Sequence, residues 1–126
     1  MGDLSKDFSR WEFACKCGCG LDDINPELVD VLQALRDWFK RRITVNSGCR
    51  CHVHNEAVQK RANSKYISNS SRSQHMRGTA ADIAVDGISA AEISRHLDVR
   101  YPAKYGIGSY NTFTHIDVKR GKARRW

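Results

Sequence analysis

Hydrophobic positions between residues 26 and 41 recur at intervals of three and four residues. They are Leu28, Val31, Leu32, Leu35, Trp38 and Phe39. Because this spacing places side chains on one face of a helix, the pattern predicts a helix over about residues 26–41. Asn25 suits the N-cap of this helix and Pro26 suits its first turn.

Short apolar runs elsewhere in the chain predict strands and two further helices. The predicted strands cover residues 43–45, 81–85, 105–110 and 113–118, and the turn signal Asn46-Ser47-Gly48 ends the first of them. The predicted helices cover residues 54–62 and 89–98, and Ser89 followed by Glu92 has the form of a capping box. Residues 63–72 show no apolar period and are predicted to form a loop.

The order of these elements predicts the fold class. Helices and strands alternate along the chain until two strands end it, which is typical of a small α+β domain. We therefore predict one domain over residues 1–126, with helices packed on a mostly antiparallel sheet. A chain of 126 residues with 40% apolar and 28% charged side chains is suited to a single folded core.

The apolar runs also bear on the membrane. All of them are far shorter than the ~20 residues that a membrane-spanning helix needs. The opening sequence MGDLSKDFSRWEF has no apolar segment behind basic residues, which a signal peptide would have. We therefore expect that the chain is synthesised in the cytoplasm and does not insert into a membrane.

The chain is strongly basic, with a formal net charge of +7. Part of this charge is local, because five basic residues crowd the C-terminus: Lys119, Arg120, Lys122, Arg124 and Arg125. A basic domain attracts polyanions. Nucleic acid and the anionic polymers of a bacterial envelope both fit, and charge alone does not separate them.

Five cysteines form a Cys-x-Cys-x-Cys run and a Cys-x-Cys pair: Cys15, Cys17, Cys19, Cys49 and Cys51. An odd number at this spacing does not suggest the disulfide framework of a secreted domain. Structural zinc sites usually use pairs two to four residues apart. A second, structural metal at the cysteines stays open, but buried thiols are favoured because cysteine is among the most buried residue types.

A histidine and a carboxylate stand close together in the stretch SQHMRGTAAD. Small residues between His75 and Asp82 let the chain turn, so that both side chains can face one point. A carboxylate in the apolar strand AADIAV is costly without a cation. His115 and Asp117 share one face of the last strand, because side chains alternate along a strand.

Each of these residues has a structural explanation when it is taken alone. His75 fits a loop histidine, Asp82 a cap at the end of a strand, and His115 a hydrogen-bonded core imidazole. Together they favour a metal site, because a catalytic zinc ion takes about three such ligands and keeps one position for water.

These motifs have the spacing of a known family. Ser73 and His75, then Asp82 after six residues, then a distant His115-x-Asp117 strand resemble the zinc D-Ala-D-Ala carboxypeptidase family. That family includes phage endolysin peptidases, which cleave the stem peptides of peptidoglycan. The resemblance implies a hedgehog/carboxypeptidase-like fold, in agreement with the α+β prediction.

Other segments extend the resemblance over nearly the whole chain. Ser47-Gly48-Cys49-Arg50, followed by His54-Asn55, is similar to the family's Ser-Gly-Tyr-Arg segment with its downstream His-Asn. Phe13-Ala14-Cys15 near the start and Arg124-Arg125-Trp126 at the end resemble the short phage-type members.

The resemblance implies one catalytic zinc ion, bound by His75, Asp82 and His115. It also implies that Arg50 holds a substrate carboxylate or polarises the scissile carbonyl, a task that suits the planar, permanently charged guanidinium. A surface salt bridge is the alternative for Arg50. Ser73 and Gln74 flank a ligand and are expected to contact the peptide or to orient His75.

The general base is the point at which the chain departs from its relatives. Zinc lowers the pKa of its bound water towards ~7, and a base takes the proton. Many relatives carry an acid three residues before the last histidine, where this chain has Thr112. Asp117 is therefore predicted as the base, and its alternative roles are to orient a ligand imidazole or to pair with Arg50. Further candidates are His52, His54 and Glu56.

The resulting expectation is a monomeric zinc peptidase that cleaves stem peptides of peptidoglycan. It would act as a D-Ala-D-Ala carboxypeptidase or an L-Ala-D-Glu endopeptidase, in phage or prophage lysis or entry, after release by another protein or within a virion. Nucleic acid is not expected as a partner. Two alternatives stay open: a basic, zinc-containing nucleic-acid-binding module, to which Trp126 beside the arginines points, and an inactive zinc-binding domain, to which Thr112 points.

Overall fold

A five-stranded sheet and two α-helices form the domain, as seen in a computed structural model that describes residues 2–50 and 74–126. The helices are α1 (Pro26–Phe39) and α2 (Ala90–Arg100), and short 3-10 turns cover Arg10–Phe13 and Gln74–Arg77. The strands are β1 (Ile43–Ser47), β2 (Ala80–Val85), β3 (Gly106–Ser109), β4 (Thr114–Asp117) and β5 (Arg124–Arg125). The predicted α+β class is confirmed.

Helix α1 begins where the sequence predicts and ends two residues earlier. The side chain of Asn25 accepts a hydrogen bond of 2.8 Å from the backbone N–H of Glu27, and Pro26 occupies the first turn. Lys40 adopts the left-handed conformation, with φ of 54°, and its N–H donates to the carbonyl of Arg36. This C-cap ends the helix at Phe39.

The strands lie in the order β1, β2, β4, β3, β5. All neighbouring pairs are antiparallel except β3 and β5, which are parallel. The predicted turn at Asn46-Ser47-Gly48 is wrong for its first two residues, because β1 continues through a register shift until Ser47 pairs with Asp82. Strand β5 was not predicted from the sequence.

The two faces of the sheet differ in chemistry. Ala81 and Ile83 of β2 and Ile116 of β4 are buried in the core together with the apolar faces of α1 and α2. Since side chains alternate along a strand, Asp82 and His115 lie on the opposite face. The register places these two residues directly across from each other on β2 and β4. The sheet therefore brings two predicted metal ligands together.

The predicted helix at residues 54–62 and the predicted loop at 63–72 lie outside the described residues. Helix α2 covers Ala90–Arg100, and the predicted cap at Ser89 is confirmed, because its side chain accepts a hydrogen bond of 3.2 Å from the N–H of Glu92. Neither helix within residues 2–50 and 74–126 has the length and apolar character to cross a bilayer.

Candidate metal centre

Three side chains from three separate elements converge on one point. His75 comes from the 3-10 turn that precedes β2, Asp82 from β2 and His115 from β4. Nε2 of His75 lies 3.3 Å from Oδ1 of Asp82, and Nδ1 of His115 lies 3.0 Å from the same oxygen. The three ligand atoms all lie within 4.8 Å of one another. This is the set that the sequence predicted.

The His75 ring is held from behind by the backbone of Gly48. Nδ1 of His75 lies 2.7 Å from the Gly48 carbonyl oxygen, and His75 is only 4% exposed. A carbonyl oxygen can only accept, so Nδ1 is the donor. Gly48 itself packs closely on the 3-10 turn Arg10–Phe13, since a Cβ atom added at Gly48 would lie 2.7 Å from Cα of Phe13. The orientation of His75 therefore depends on close backbone packing.

The His115 ring is held from behind by a carboxylate. Nε2 of His115 lies 2.9 Å from Oδ2 of Asp117, while Nδ1 faces Asp82. A ring nitrogen that donates to an acceptor behind it directs the opposite nitrogen forward as a possible metal ligand. Both imidazoles of the centre are arranged in this way.

This arrangement fits a bound cation. With Nδ1 of His75 and Nε2 of His115 donating to acceptors, the other two ring nitrogens of the neutral imidazoles present lone pairs to Oδ1 of Asp82. Lone pairs that face a carboxylate oxygen repel it unless a proton or a metal ion lies between them. Two imidazoles and one carboxylate are also the ligand types that zinc prefers in catalytic sites.

Without a metal ion, protons would have to lie between the ring nitrogens and Oδ1 of Asp82. The pKa values of Asp82 and His115 are shifted in the directions that this requires. Burial would raise the pKa of Asp82, but hydrogen bonds with His115 and His75 outweigh it and hold the pKa well below its ordinary value. Burial would lower the pKa of His115, but hydrogen bonds with Asp117 and Asp82 raise it overall. The pocket favours a negative carboxylate beside positive charge.

Asp117 lies behind His115 and has partners on both oxygens. One oxygen faces Nε2 of His115, and the other accepts hydrogen bonds from the guanidinium of Arg124 and, at 3.2 Å, from the N–H of Lys119. Its side chain is 1% exposed. Burial would raise the pKa of Asp117, but these hydrogen bonds with His115 and Arg124 lower it. The geometry favours the orienting role, and the role of general base stays a prediction.

Arg50 lies beside the centre and is buried. Its Nη2 is 3.2 Å from Oδ2 of Asp82, the oxygen that does not face the imidazoles, and its Nε donates to Oγ of Ser47 at 3.0 Å. The side chain is 9% exposed, so the surface salt bridge that was the alternative for Arg50 is instead a buried ion pair with a predicted metal ligand. Burial lowers the pKa of Arg50 and the charge of Asp82 opposes this shift.

An aromatic side chain covers the outer edge of His115. The Trp126 ring lies 5.1 Å from the His115 ring, and its Nε1 donates to the Tyr110 hydroxyl at 2.8 Å. Trp126 crosses β3 at Gly108, where a Cβ atom would lie 2.5 Å from Nε1 of the indole. Trp126 and Tyr110 are 50% and 44% exposed, so this edge of the centre is an aromatic surface open to solvent.

The structure extends the site beyond the residues predicted from the sequence. Three contributors were missed: the Gly48 carbonyl, Arg124 and Trp126. The glycines at 106 and 108 were a usable signal, since alternate glycines leave one face of a strand bare and often mark the close approach of another group. Ser73 and the candidate bases His52, His54 and Glu56 lie outside the described residues, and only the backbone of Gln74 is described.

The basic C-terminus is partly committed to internal contacts. Arg124 binds Asp117, and Nε of Arg125 lies 2.7 Å from Oδ1 of Asp98. Arg125 also donates to the carbonyl oxygens of Tyr101 and Tyr105. Arg125 therefore ties β5 to α2 and to the segment that follows α2, whereas Arg124 contacts the metal centre through Asp117.

Two imidazoles, one carboxylate and a buried arginine meet at one face of the sheet in this α+β domain. These are the features of a metal-dependent hydrolase. The family model for Peptidase M15 matches residues 6–117. The chain belongs to this family of metallopeptidases, whose members depend on zinc. No curated protein matches the chain.

Proposed function

We propose that this chain is a zinc peptidase that hydrolyses amide bonds in the stem peptides of bacterial peptidoglycan. The observation that carries the proposal is the orientation of the two histidines. Acceptors behind each ring turn its other nitrogen towards Oδ1 of Asp82. Membership of the Peptidase M15 family supports the proposal.

His75, Asp82 and His115 would hold the zinc ion. When bound, zinc lowers the pKa of a coordinated water and polarises the amide carbonyl. Asp117 keeps the His115 ring in place, and Arg124 in turn fixes Asp117 by binding its other oxygen. For Asp117 we therefore propose the orienting role.

Arg50 would recognise negative charge on the substrate. Its guanidinium is already held at Asp82 and Ser47, so little side-chain freedom is lost when an anionic group binds beside it. Stem peptides carry carboxylates, and Arg binds these with fixed geometry. Ser73 and Gln74 are proposed to contact the peptide next to His75.

The aromatic surface of Trp126 and Tyr110 would form one wall of the peptide site. It adjoins His115 and is half exposed. The net charge of +7 would favour encounter with the anionic polymers of the cell wall. We further propose that the chain reaches the wall through release by another protein or as part of a virion.

Purified peptidoglycan and defined stem peptides provide the test. The zinc-loaded chain is expected to cleave them, and mass spectrometry of the new termini identifies the bond. Loss of a terminal D-Ala would assign a carboxypeptidase, whereas a new N-terminal D-Glu would assign an endopeptidase.

His75→Ala should abolish cleavage because it removes a metal ligand. His96→Ala is the matched control, because His96 lies on α2 beside Trp38 and Phe39 rather than in the metal centre. Zinc binding by the wild type without cleavage of any stem peptide would contradict the proposal and favour an inactive zinc-binding domain. Salt-dependent nucleic-acid binding that survives His75→Ala would favour the nucleic-acid-binding module.

A further inference from the structure

The loop over residues 15–21 gathers three cysteines that the metal centre does not use. The sulfur atoms of Cys15, Cys17 and Cys19 all lie within 4.8 Å of one another. Cys15 is buried, whereas Cys17 and Cys19 are exposed. The prediction of buried thiols is therefore confirmed for Cys15 and Cys49 and wrong for Cys17 and Cys19, and Cys51 lies outside the described residues.

The backbone of this loop turns tightly and brings the three sulfur atoms together. In an extended chain, residues four apart are separated by roughly 13 Å at about 3.3 Å per residue, yet Cys15 and Cys19 bring their sulfurs within 4.8 Å. The N–H of Gly18 donates to the carbonyl of Cys15 at 3.2 Å, and the N–H of Cys15 donates to the carbonyl of Leu21 at 2.7 Å. Two hydrogen bonds thus close the loop on itself.

Glycines make this curl sterically allowed. Gly18 and Gly20 follow Cys17 and Cys19 and have φ of 83° and 89°, the left-handed region that other residues rarely adopt. A Cβ atom at either glycine would meet nothing within 4 Å, so backbone conformation and not space requires glycine there. The sequence therefore specifies a turn after each exposed cysteine.

We propose that Cys15, Cys17 and Cys19 bind a second, structural zinc ion, separate from the metal centre of the sheet. Tetrahedral zinc with Zn–S bonds of about 2.3 Å sets sulfur–sulfur distances of about 3.8 Å. The Cys15 and Cys17 sulfurs are 3.4 Å apart, close to that spacing before any adjustment. On binding, each thiol loses its proton to solvent and the three thiolates supply three of the four positions around the ion.

A metal ion bound by these cysteines would support the residues next to the metal centre of the sheet. The carbonyl of Phe13, two residues before Cys15, accepts a hydrogen bond of 2.8 Å from the N–H of Cys49. Cys49 follows Gly48, whose carbonyl orients His75, and precedes Arg50. The ion would therefore fix the N-terminal segment against Gly48 and Arg50, which contact the metal centre of the sheet. The inference holds whether or not the chain cleaves peptidoglycan.

Cobalt(II) binding in the His75→Ala background tests the second site without contribution from the first. Under reducing conditions, this variant is expected to bind one cobalt ion per chain with a thiolate-to-cobalt charge-transfer band. Adding Cys17→Ser and Cys19→Ser should remove both the ion and the band. Adding Lys16→Ala, an exposed change in the same loop, should leave both unchanged.

Alkylation followed by mass spectrometry gives a second measurement that does not depend on the variants. Bound metal should protect Cys17 and Cys19 of the wild type, and chelation should expose them. Cys49 serves as an internal reference, because burial raises the pKa of its thiol to about 11 and keeps it unreactive in both states. No charge-transfer band in His75→Ala, or a band that survives loss of Cys17 and Cys19, would overturn the proposal.

Discussion

Replacing Asp82 with asparagine is expected to cost the chain one bound zinc ion and nearly all hydrolysis. Oδ1 of Asp82 is the atom that both ligand imidazoles face, at 3.3 and 3.0 Å. The loss of affinity should exceed the roughly 100-fold upper limit for changes behind a ligand, because a ligand itself is altered. Metal content by mass spectrometry and cleavage of stem peptides measure the two effects.

The same variant should also destabilise the metal-free chain. It removes the negative charge that Nη2 of Arg50 contacts at 3.2 Å, and the two side chains are only 9% and 13% exposed. Breaking a buried ion pair from one side costs about 3–5 kcal/mol, and we expect about 3 kcal/mol here because some exposure remains. Asp86→Asn, an exposed change just after β2, is the control for urea unfolding. Zinc affinity equal to that of the wild type in Asp82→Asn would exclude Asp82 as a ligand.

Replacing Asp117 with asparagine is expected to weaken zinc binding by roughly 10- to 100-fold while turnover at saturating zinc largely persists. The amide keeps the size of Asp117 but loses the charge that binds His115 and Arg124. The His115 ring is then less firmly held in the orientation that presents Nδ1 to the metal. Titration with a competing chelator measures affinity, and kcat is measured with excess zinc.

The two roles of Asp117 predict opposite results in this variant. A positioning residue changes zinc affinity and leaves kcat largely intact, whereas a general base leaves affinity intact and removes kcat. Asp98→Asn is the matched control, because it also removes a carboxylate partner of the C-terminal arginines but lies away from His115. Unchanged zinc affinity together with lost turnover would restore Asp117 as the base.

The cluster of His75, Asp82 and His115 was predictable from the sequence because two of its members are unusual at their positions. Asp82 is a carboxylate in an apolar strand, and His115 alternates with the buried Ile116. Such exceptions to a strand pattern point to a site. Helix α1 was predictable because its N-cap, its first-turn proline and the spacing of its apolar residues all indicate a helix that begins at residue 26.

The supports behind the ligands were not predictable in the same way. The Gly48 carbonyl belongs to the backbone, so no side chain marks its role at His75. Arg124 and Trp126 reach the centre only because β5 pairs with β3, a parallel contact between short segments. Gly106 and Gly108 marked the space that these two side chains fill, but their meaning depends on the register of the sheet.

Anomalous X-ray diffraction from zinc-loaded crystals, recorded on both sides of the zinc absorption edge, would show directly whether His75, Asp82 and His115 bind the ion. We expect a peak about 2.0–2.2 Å from Nε2 of His75, Oδ1 of Asp82 and Nδ1 of His115. A peak at the cysteines alone, or one bound through Nε2 of His115 after displacement of Asp117, would contradict it.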